Sequence, residues 1–297
     1  MKGDEERRID GKALARRIEE EVAADVERLR ERKIRPKLVV VAVGEGDPSF
    51  ASYQKAREKA CERVGIESSV VTVFLEDGER ALARTLVALS DDPSVHGILL
   101  QLPLPPGFGE DDLFSLIAPR KDVEGHHPWN AGLLAQGRPR FVPCTAWAVT
   151  EILRAEEVVT AGAHVVILGR SRVVGGPLAS LLLRKGPAGN ATVTVCHSHT
   201  KDLPEIVRQA EILVAAVGKP EFVKGDWLRP GVVVIDVGTH AVEDPSAKKG
   251  WRLTGDVHYP SAARVASKIT PVPGGVGPVT TALLLKATVR AASGREE

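Results

Sequence analysis

The sequence predicts an α/β protein with two α/β lobes sharing a cleft. Three observations predict it. Apolar, β-branched runs alternate with helix-period segments along most of the 297 residues, which implies parallel strands joined by right-handed crossovers. The alternation comes in two sets, before and after Phe141-Val-Pro-Cys-Thr145. A hydrophobic content of 43% at this length supports a core for one large or two ordinary domains.

In the first set, Ile18, Val22, Val26 and Leu29 recur every three or four residues between Ile9 and Arg32, the pattern of an amphipathic helix. Pro36 ends it, and Leu38 to Val43 reads as a buried strand closing at Gly44. A loop from Glu45 to Pro48 leads to Ser49, the expected N-cap of a helix that runs to Val64 and stops at Gly65. Val70 to Leu75 is the next strand, Gly78 to Leu89 a helix, and Val95 to Leu100 a third strand. A short helix follows near Asp111 to Ile117, then a polar loop from Pro119 to Asn130.

Thr145 is the expected cap of a helix through Leu153. Strands of the second set are Val165 to Leu168, Thr192 to Cys196, Ile212 to Val217 and Val232 to Val237, with helices beginning near Val174 and Leu203. Beyond Trp251 lies a loop-rich stretch through Pro278, and a last helix spans Val279 to about Ala292.

Forty basic residues against thirty-nine acidic ones leave a net charge of +1. No global field then favours nucleic acid or an anionic membrane, so a small ligand is the expected partner. Cys61, Cys144 and Cys196 are odd in number and widely spaced, which argues against a disulfide framework or a cysteine metal site and fits a reducing cytoplasm. The charged Met1 to Arg8 segment gives no sign of an export signal or anchor.

Chemistry concentrates at His164-Val-Val-Ile-Leu-Gly169-Arg-Ser-Arg-Val-Val-Gly175-Gly-Pro177. It reads as strand, tight turn and helix, with the glycine permitting close approach to a ligand and the free N–H groups of the first helical turn attracting phosphate. The spacing is not G-x-G-x-x-G, so these residues alone leave dinucleotide binding and an ordinary α/β turn equally open. The next strand ends Cys196-His-Ser-His-Thr-Lys201, with no carboxylate before Asp202, and Arg170 lies in the turn. That favours NADP over NAD, with a solvated basic loop as the competing reading.

In the first set, Tyr53 and Arg57 are four apart on one helical face, where a surface arginine lying along its helix is the simplest reading. Gln101, just past a buried strand, suits a backbone bond better than a substrate contact. The Lys121-Asp-Val-Glu124-Gly-His-His127 loop lacks a nearby cysteine, and adjacent histidines chelate one ion poorly, so no metal is expected.

Nine ordered stretches together resemble the bifunctional methylenetetrahydrofolate dehydrogenase/cyclohydrolase family. They are Ile9 to Lys12, Tyr53 to Gly65, Leu100 to Pro105, Lys121 to Gly125, Pro143 to Thr145, the Gly169 to Pro177 turn, Val217 to Pro220, Gly255 to Val257 and Thr270 to Pro278. The resemblance implies a cytoplasmic homodimer. Residues 1–145 with 275–297 would form a folate-binding catalytic domain, and 146–274 a Rossmann-type NADP-binding domain, with tetrahydrofolate one-carbon derivatives in the cleft. It further implies catalytic roles for Tyr53, Arg57, Gln101 and Glu124, and substrate contacts from Pro273, Gly274 and Gly275. NADP contacts would come from Gly169, Arg170, Ser171, Gly175, Ser198 and Thr239.

Two positions depart from the family pattern, which has lysine at 57 and aspartate, holding the pteridine edge, at 124. Arginine stays protonated and cannot act as a base. The expected activity is therefore oxidation of 5,10-methylenetetrahydrofolate with NADP, with hydrolysis to 10-formyltetrahydrofolate put in question; the alternative is a folate- or nucleotide-binding paralogue without turnover. Thr239-His240 stands where the family usually has Ile-Asn. Arg170→Ala is expected to weaken NADP binding more than NAD binding, since only NADP has a 2′-phosphate; comparing the two dissociation constants checks this.

Overall fold

The computed structural model describes residues 4–44, 48–247 and 250–294. In chain order they form α1 (Asp4–Arg7), α2 (Gly11–Glu31), β1 (Lys37–Val43), α3 (Pro48–Val64), β2 (Glu67–Val73), α4 (Gly78–Asp91), β3 (Gly97–Leu100), α5 (Glu110–Ser115), α6 (Pro128–Ala135) and α7 (Cys144–Ala155). Then come β4 (His164–Leu168), α8 (Gly175–Leu183), β5 (Thr192–Cys196), α9 (Leu203–Arg208), β6 (Ile212–Ala215), β7 (Val233–Asp236), β8 (His240–Glu243), β9 (Trp251–Thr254), α10 (Tyr259–Ala262), β10 (Lys268–Ile269) and α11 (Val276–Ser293).

The chain divides into two compact units. The N-terminal unit comprises Arg16–Cys144 and Thr281–Glu297, and the C-terminal unit Met1–Ala15 and Thr145–Thr280. Residues 1–15 and 275–280 thus group with the C-terminal unit, whereas the sequence-based boundaries put them with the first. Backbone bonding accounts for the N-terminal part. Ile9 N–H donates to the Ile269 carbonyl at 2.9 Å, and Gly11 lies so close to Gly275 that a Cβ would strike its carbonyl oxygen.

The N-terminal unit has a parallel sheet of order β2-β1-β3. β1, the continuous apolar run, sits centrally and is buried along most of its length, as a strand covered on both faces must be. β2 lies at the edge and is only partly buried. Val39, Val41, Leu82, Leu86, Ile98, Leu100 and Phe114 share one core. A single parallel bridge from Ile98 to Asp122 lays the segment before Glu124 alongside β3.

The C-terminal unit has a five-stranded parallel sheet of order β10-β7-β6-β4-β5, and β8 and β9 form a separate antiparallel pair. β4 lies between β5 and β6, so the chain steps from β4 to β5 in one direction and then crosses back past β4 to β6 in the other. That switch point is where an open α/β sheet opens a crevice beyond the carboxyl ends of its strands.

Most expected elements are present, with boundaries shifted by one to three residues. β2 ends at Val73, where a 3-10 turn over Leu75–Asp77 takes over. The loop expected from 119 to 130 instead ends in α6. There the His127 ring nitrogen accepts the Trp129 N–H at 2.9 Å and Pro128 occupies the first turn. Thr145 lies inside α7 rather than capping it. The 45–47 loop and the Ser49 side chain lie outside the described residues. The stretch after Trp251 contains β9, α10 and β10; a two-residue strand carries no periodicity from which to find it.

Two glycines test the packing. Ala at Gly255 would put its Cβ into the buried Asp236 carboxylate, and Gly255→Ala is expected to cost about 1–3 kcal/mol in urea unfolding. Gly132 is exposed within α6 with open space around it, so Gly132→Ala should gain up to about 1 kcal/mol in the same assay.

Candidate active site and dinucleotide turn

In the N-terminal unit, α3 carries Tyr53 and Arg57 one turn apart. The Arg57 guanidinium carbon lies 5.7 Å from the Tyr53 ring centroid, in cation–π range. The Tyr53 hydroxyl bonds Thr281 of α11, while 39% of the residue remains exposed. Burial pushes the phenol up, an effect that the Thr281 bond opposes.

Arg57 is not the surface arginine that its helix suggested. It is fully buried, and its Nε, Nη1 and Nη2 have no hydrogen-bond partner among the described residues. Desolvation lowers its pKa, while the fields of Tyr53, Cys61 and Glu124 oppose that shift. A buried guanidinium with three unmet donors is costly unless something else accepts from it.

Glu124 is positioned by the loop around it. Asp122 accepts the backbone N–H groups of His126 and His127 at 3.1 and 2.8 Å and the Asn130 amide at 2.8 Å. Lys121 Nζ donates to the carbonyls of Leu89 and Asp92 at 3.0 and 2.5 Å. Gly125 takes φ +68°, and a Cβ there would meet the Phe141 carbonyl. These bonds occupy Lys121 and Asp122 structurally and leave Glu124 as the loop's half-buried carboxylate, whose pKa burial raises.

Glu124 does not form an ion pair with Arg57, although each feels the other's field. Its near basic neighbour is His126, whose Nε2 stands 3.8 Å from Oε2. The sequence did not single out this pairing. Gln101 behaves as its position suggested, with Nε2 donating to the Leu102 carbonyl at 2.8 Å. Among the described residues, no group of three or more His, Cys, Asp and Glu could hold a metal ion.

In the C-terminal unit, Gly169 follows β4 with φ +118°, and a Cβ there would run into the Ala216 carbonyl beyond β6. A Cβ on Gly175 would strike the Gly169 carbonyl. Ser171 Oγ accepts the Val174 N–H at 3.1 Å, holding the entry to α8. Arg170, Ser171, Ser198 and Thr239 are exposed. This glycine-lined turn at the sheet's switch point, with the exposed Arg170 beside it, fits a dinucleotide bearing a 2′-phosphate.

Two buried aspartates whose roles the sequence did not reveal hold the neighbouring loops. Asp256 accepts backbone N–H groups from Val217, Gly218 and Lys219 at 2.6, 3.1 and 3.0 Å, and His240 Nε2 lies 2.7 Å from its Oδ1. Asp236 accepts from Gly238, Asp256 and Val257 at 3.0, 2.9 and 2.9 Å. Burial pushes the Asp236 carboxyl up to about 7 against those bonds. For Asp236 the available signal was a carboxylate at the end of an apolar strand. In the Pro271–Pro278 loop, Gly274 takes φ +106° and Gly275 packs tightly on Thr270. Pro273 also borders a cavity of about 500 Å³ lined by Arg8, Lys12, Glu221, Arg252 and His258.

Replacing Arg57 with an apolar side chain of similar length removes its unmet donors. Arg57→Met should raise stability by about 1 kcal/mol or more in urea unfolding and lower catalytic turnover, the mark of a charge kept for function.

Comparison with known proteins finds matches over both parts of the chain. The model described as the tetrahydrofolate dehydrogenase/cyclohydrolase catalytic domain matches residues 9–124. The one described as the NAD(P)-binding domain of the same enzymes matches residues 143–296. The bifunctional protein FolD 2 of Geobacter sulfurreducens is 46% identical over 284 residues, covering 96% of each chain. Among solved structures, the bifunctional FolD dehydrogenase/cyclohydrolase of Campylobacter jejuni superposes with a TM-score of 0.89 at 40% identity, covering 97% of this chain and 99% of that one. The Trypanosoma brucei enzyme, complexed with NADP cofactor and inhibitor, gives the same TM-score and identity over 96% of each chain.

Proposed function

The chain belongs to the tetrahydrofolate dehydrogenase/cyclohydrolase family, and from that premise we propose how its residues divide the oxidation of 5,10-methylenetetrahydrofolate to 5,10-methenyltetrahydrofolate with NADP. The observation that carries the reading is the pairing of a retained glycine cradle at Gly169 and Gly175 with a buried, unpartnered Arg57 in the catalytic-domain match.

NADP, when bound, accepts the hydride lost from the methylene bridge. Gly169 and Gly175 keep the turn open, Arg170 and Ser198 supply polar groups for the 2′-phosphate, and Ser171 and Thr239 complete the cofactor contacts. Folate nitrogen lone pairs stabilise the cation left behind, so the protein's main work is holding and orienting. Tyr53 offers an exposed ring face to the flat substrate, Gln101 a backbone-anchored amide, and Glu124 a carboxylate for the donor edge of the pteridine. Pro273, Gly274 and Gly275 are assigned as further substrate contacts. The Arg57 guanidinium finds its missing acceptors on the substrate.

The hydration that follows in this family needs a proton to move. Arg57 can hold charge there but cannot take up a proton. Glu124, whose carboxyl is pushed up by burial, can hold one. The reading includes a cytoplasmic homodimer. Among the described residues no helix is long and apolar enough to cross a membrane, and exposed Val195 on edge strand β5 supports a partner surface there.

The test is a pair of rates on one preparation, NADPH formation and loss of methenyltetrahydrofolate. NADPH formation is expected, and its absence would overturn the dehydrogenase reading. Arg57→Lys should raise hydration relative to dehydrogenation; an unchanged ratio would remove position 57 from the hydration step.

A further inference from the structure

His126 has no role in the chemistry described above. Its side chain is only 6% exposed, and its ring lies 4.9 Å from that of Phe114 on α5, in a slot that an apolar residue would fill without any polar demand. Its backbone N–H is held by Asp122, which fixes the ring's origin. From there Nε2 points to within 3.8 Å of the Glu124 carboxylate.

The groups whose fields reach that carboxylate are few. They are Arg57 and Tyr53 from α3, Asp122 and His126 from its own loop, and Cys144 at the start of α7. Asp122 and Cys144 cannot favour a negative Glu124. Arg57 favours it, but its charge is constant. His126 is the one base in this group that exists in both neutral and cationic forms.

We propose that His126 is a positioning residue that sets the charge of Glu124, so that folate binding at this carboxylate follows the protonation of the His126–Glu124 couple. The inference rests on the assignment of Glu124 to the pteridine edge. That edge presents N–H donors, which an ionised carboxylate accepts through both oxygens with charge assistance and a protonated one only through its carbonyl oxygen. When protonated, His126 puts a positive charge 3.8 Å from Glu124 and favours its ionised form. The effect therefore falls on KM for the folate and leaves kcat at saturation largely alone.

The test measures the pH dependence of KM and kcat for NADPH formation in the unmutated enzyme, His126→Phe and His126→Gln. Phe keeps the ring packing on Phe114; Gln keeps a polar neighbour without charge. Both variants are expected to move the acidic limb of kcat/KM to higher pH by about one unit, the shift that one opposite charge at this range produces. KM should rise up to roughly tenfold below that limb, with kcat kept. A limb that stays in place in both variants, or that moves in only one of them, would overturn the proposal. A reciprocal measurement does not depend on turnover: in Glu124→Gln, the His126 ring resonance followed by proton NMR should titrate at lower pH than in the parent. An unchanged midpoint would likewise overturn it. Absence of NADPH formation in the unmutated enzyme would instead count against the dehydrogenase reading, with the NMR titration still deciding on the couple.

Discussion

The C-terminal unit depends on one buried carboxylate. Asp256 gathers three consecutive backbone N–H groups after β6 and the His240 ring at the start of β8. Loops beyond the carboxyl ends of parallel strands have no ladder to satisfy their backbone, and a buried carboxyl group that accepts several N–H groups at once substitutes for one. Asp236 does the same for the turn after β7 and for the backbone of Asp256 itself. The two acids thus form one connected network, and Gly255 is small because the Asp236 carboxylate occupies the space its side chain would need.

Charge is arranged differently in the N-terminal unit. Asp122 and Lys121 are engaged by backbone groups and by the Asn130 amide, whereas Arg57 is left with unmet donors and Glu124 with a histidine just beyond hydrogen-bonding distance. The first pair fixes the shape of the loop. The second group leaves polar capacity unmet within the protein, at a cost in stability.

The elements built on local patterns were readable from the sequence. The apolar run of β1, the heptad-like spacing in α2 and the glycine break after β4 each express a backbone or burial rule that acts over a few residues. Features that depend on distant partners were not. Arg57 looked like a surface residue because its helix shows only that Tyr53 shares its face; its burial is a tertiary fact. The resemblance placed Glu124 opposite an altered basic partner, yet its near neighbour is His126, two residues away in the same loop, because the Asp122 bonds turn the backbone back on itself. α6 was hidden because its start is marked by a histidine acting as cap, a weaker sign than serine or aspartate.

Neither unit is a continuous stretch of chain. α2 and α11 each contribute residues to both, since the divisions fall at Ala15 and Thr280. Thr288, near the chain's end, packs fully buried against Gly97 in the first sheet, and Lys286 pairs with Glu21 at 2.8 Å. During synthesis the N-terminal unit therefore lacks one of its core helices until α11 has been made. The C-terminal unit, although made later, already has the N-terminal segment it needs. The order in which the units can finish folding is the reverse of the order in which most of their residues are made.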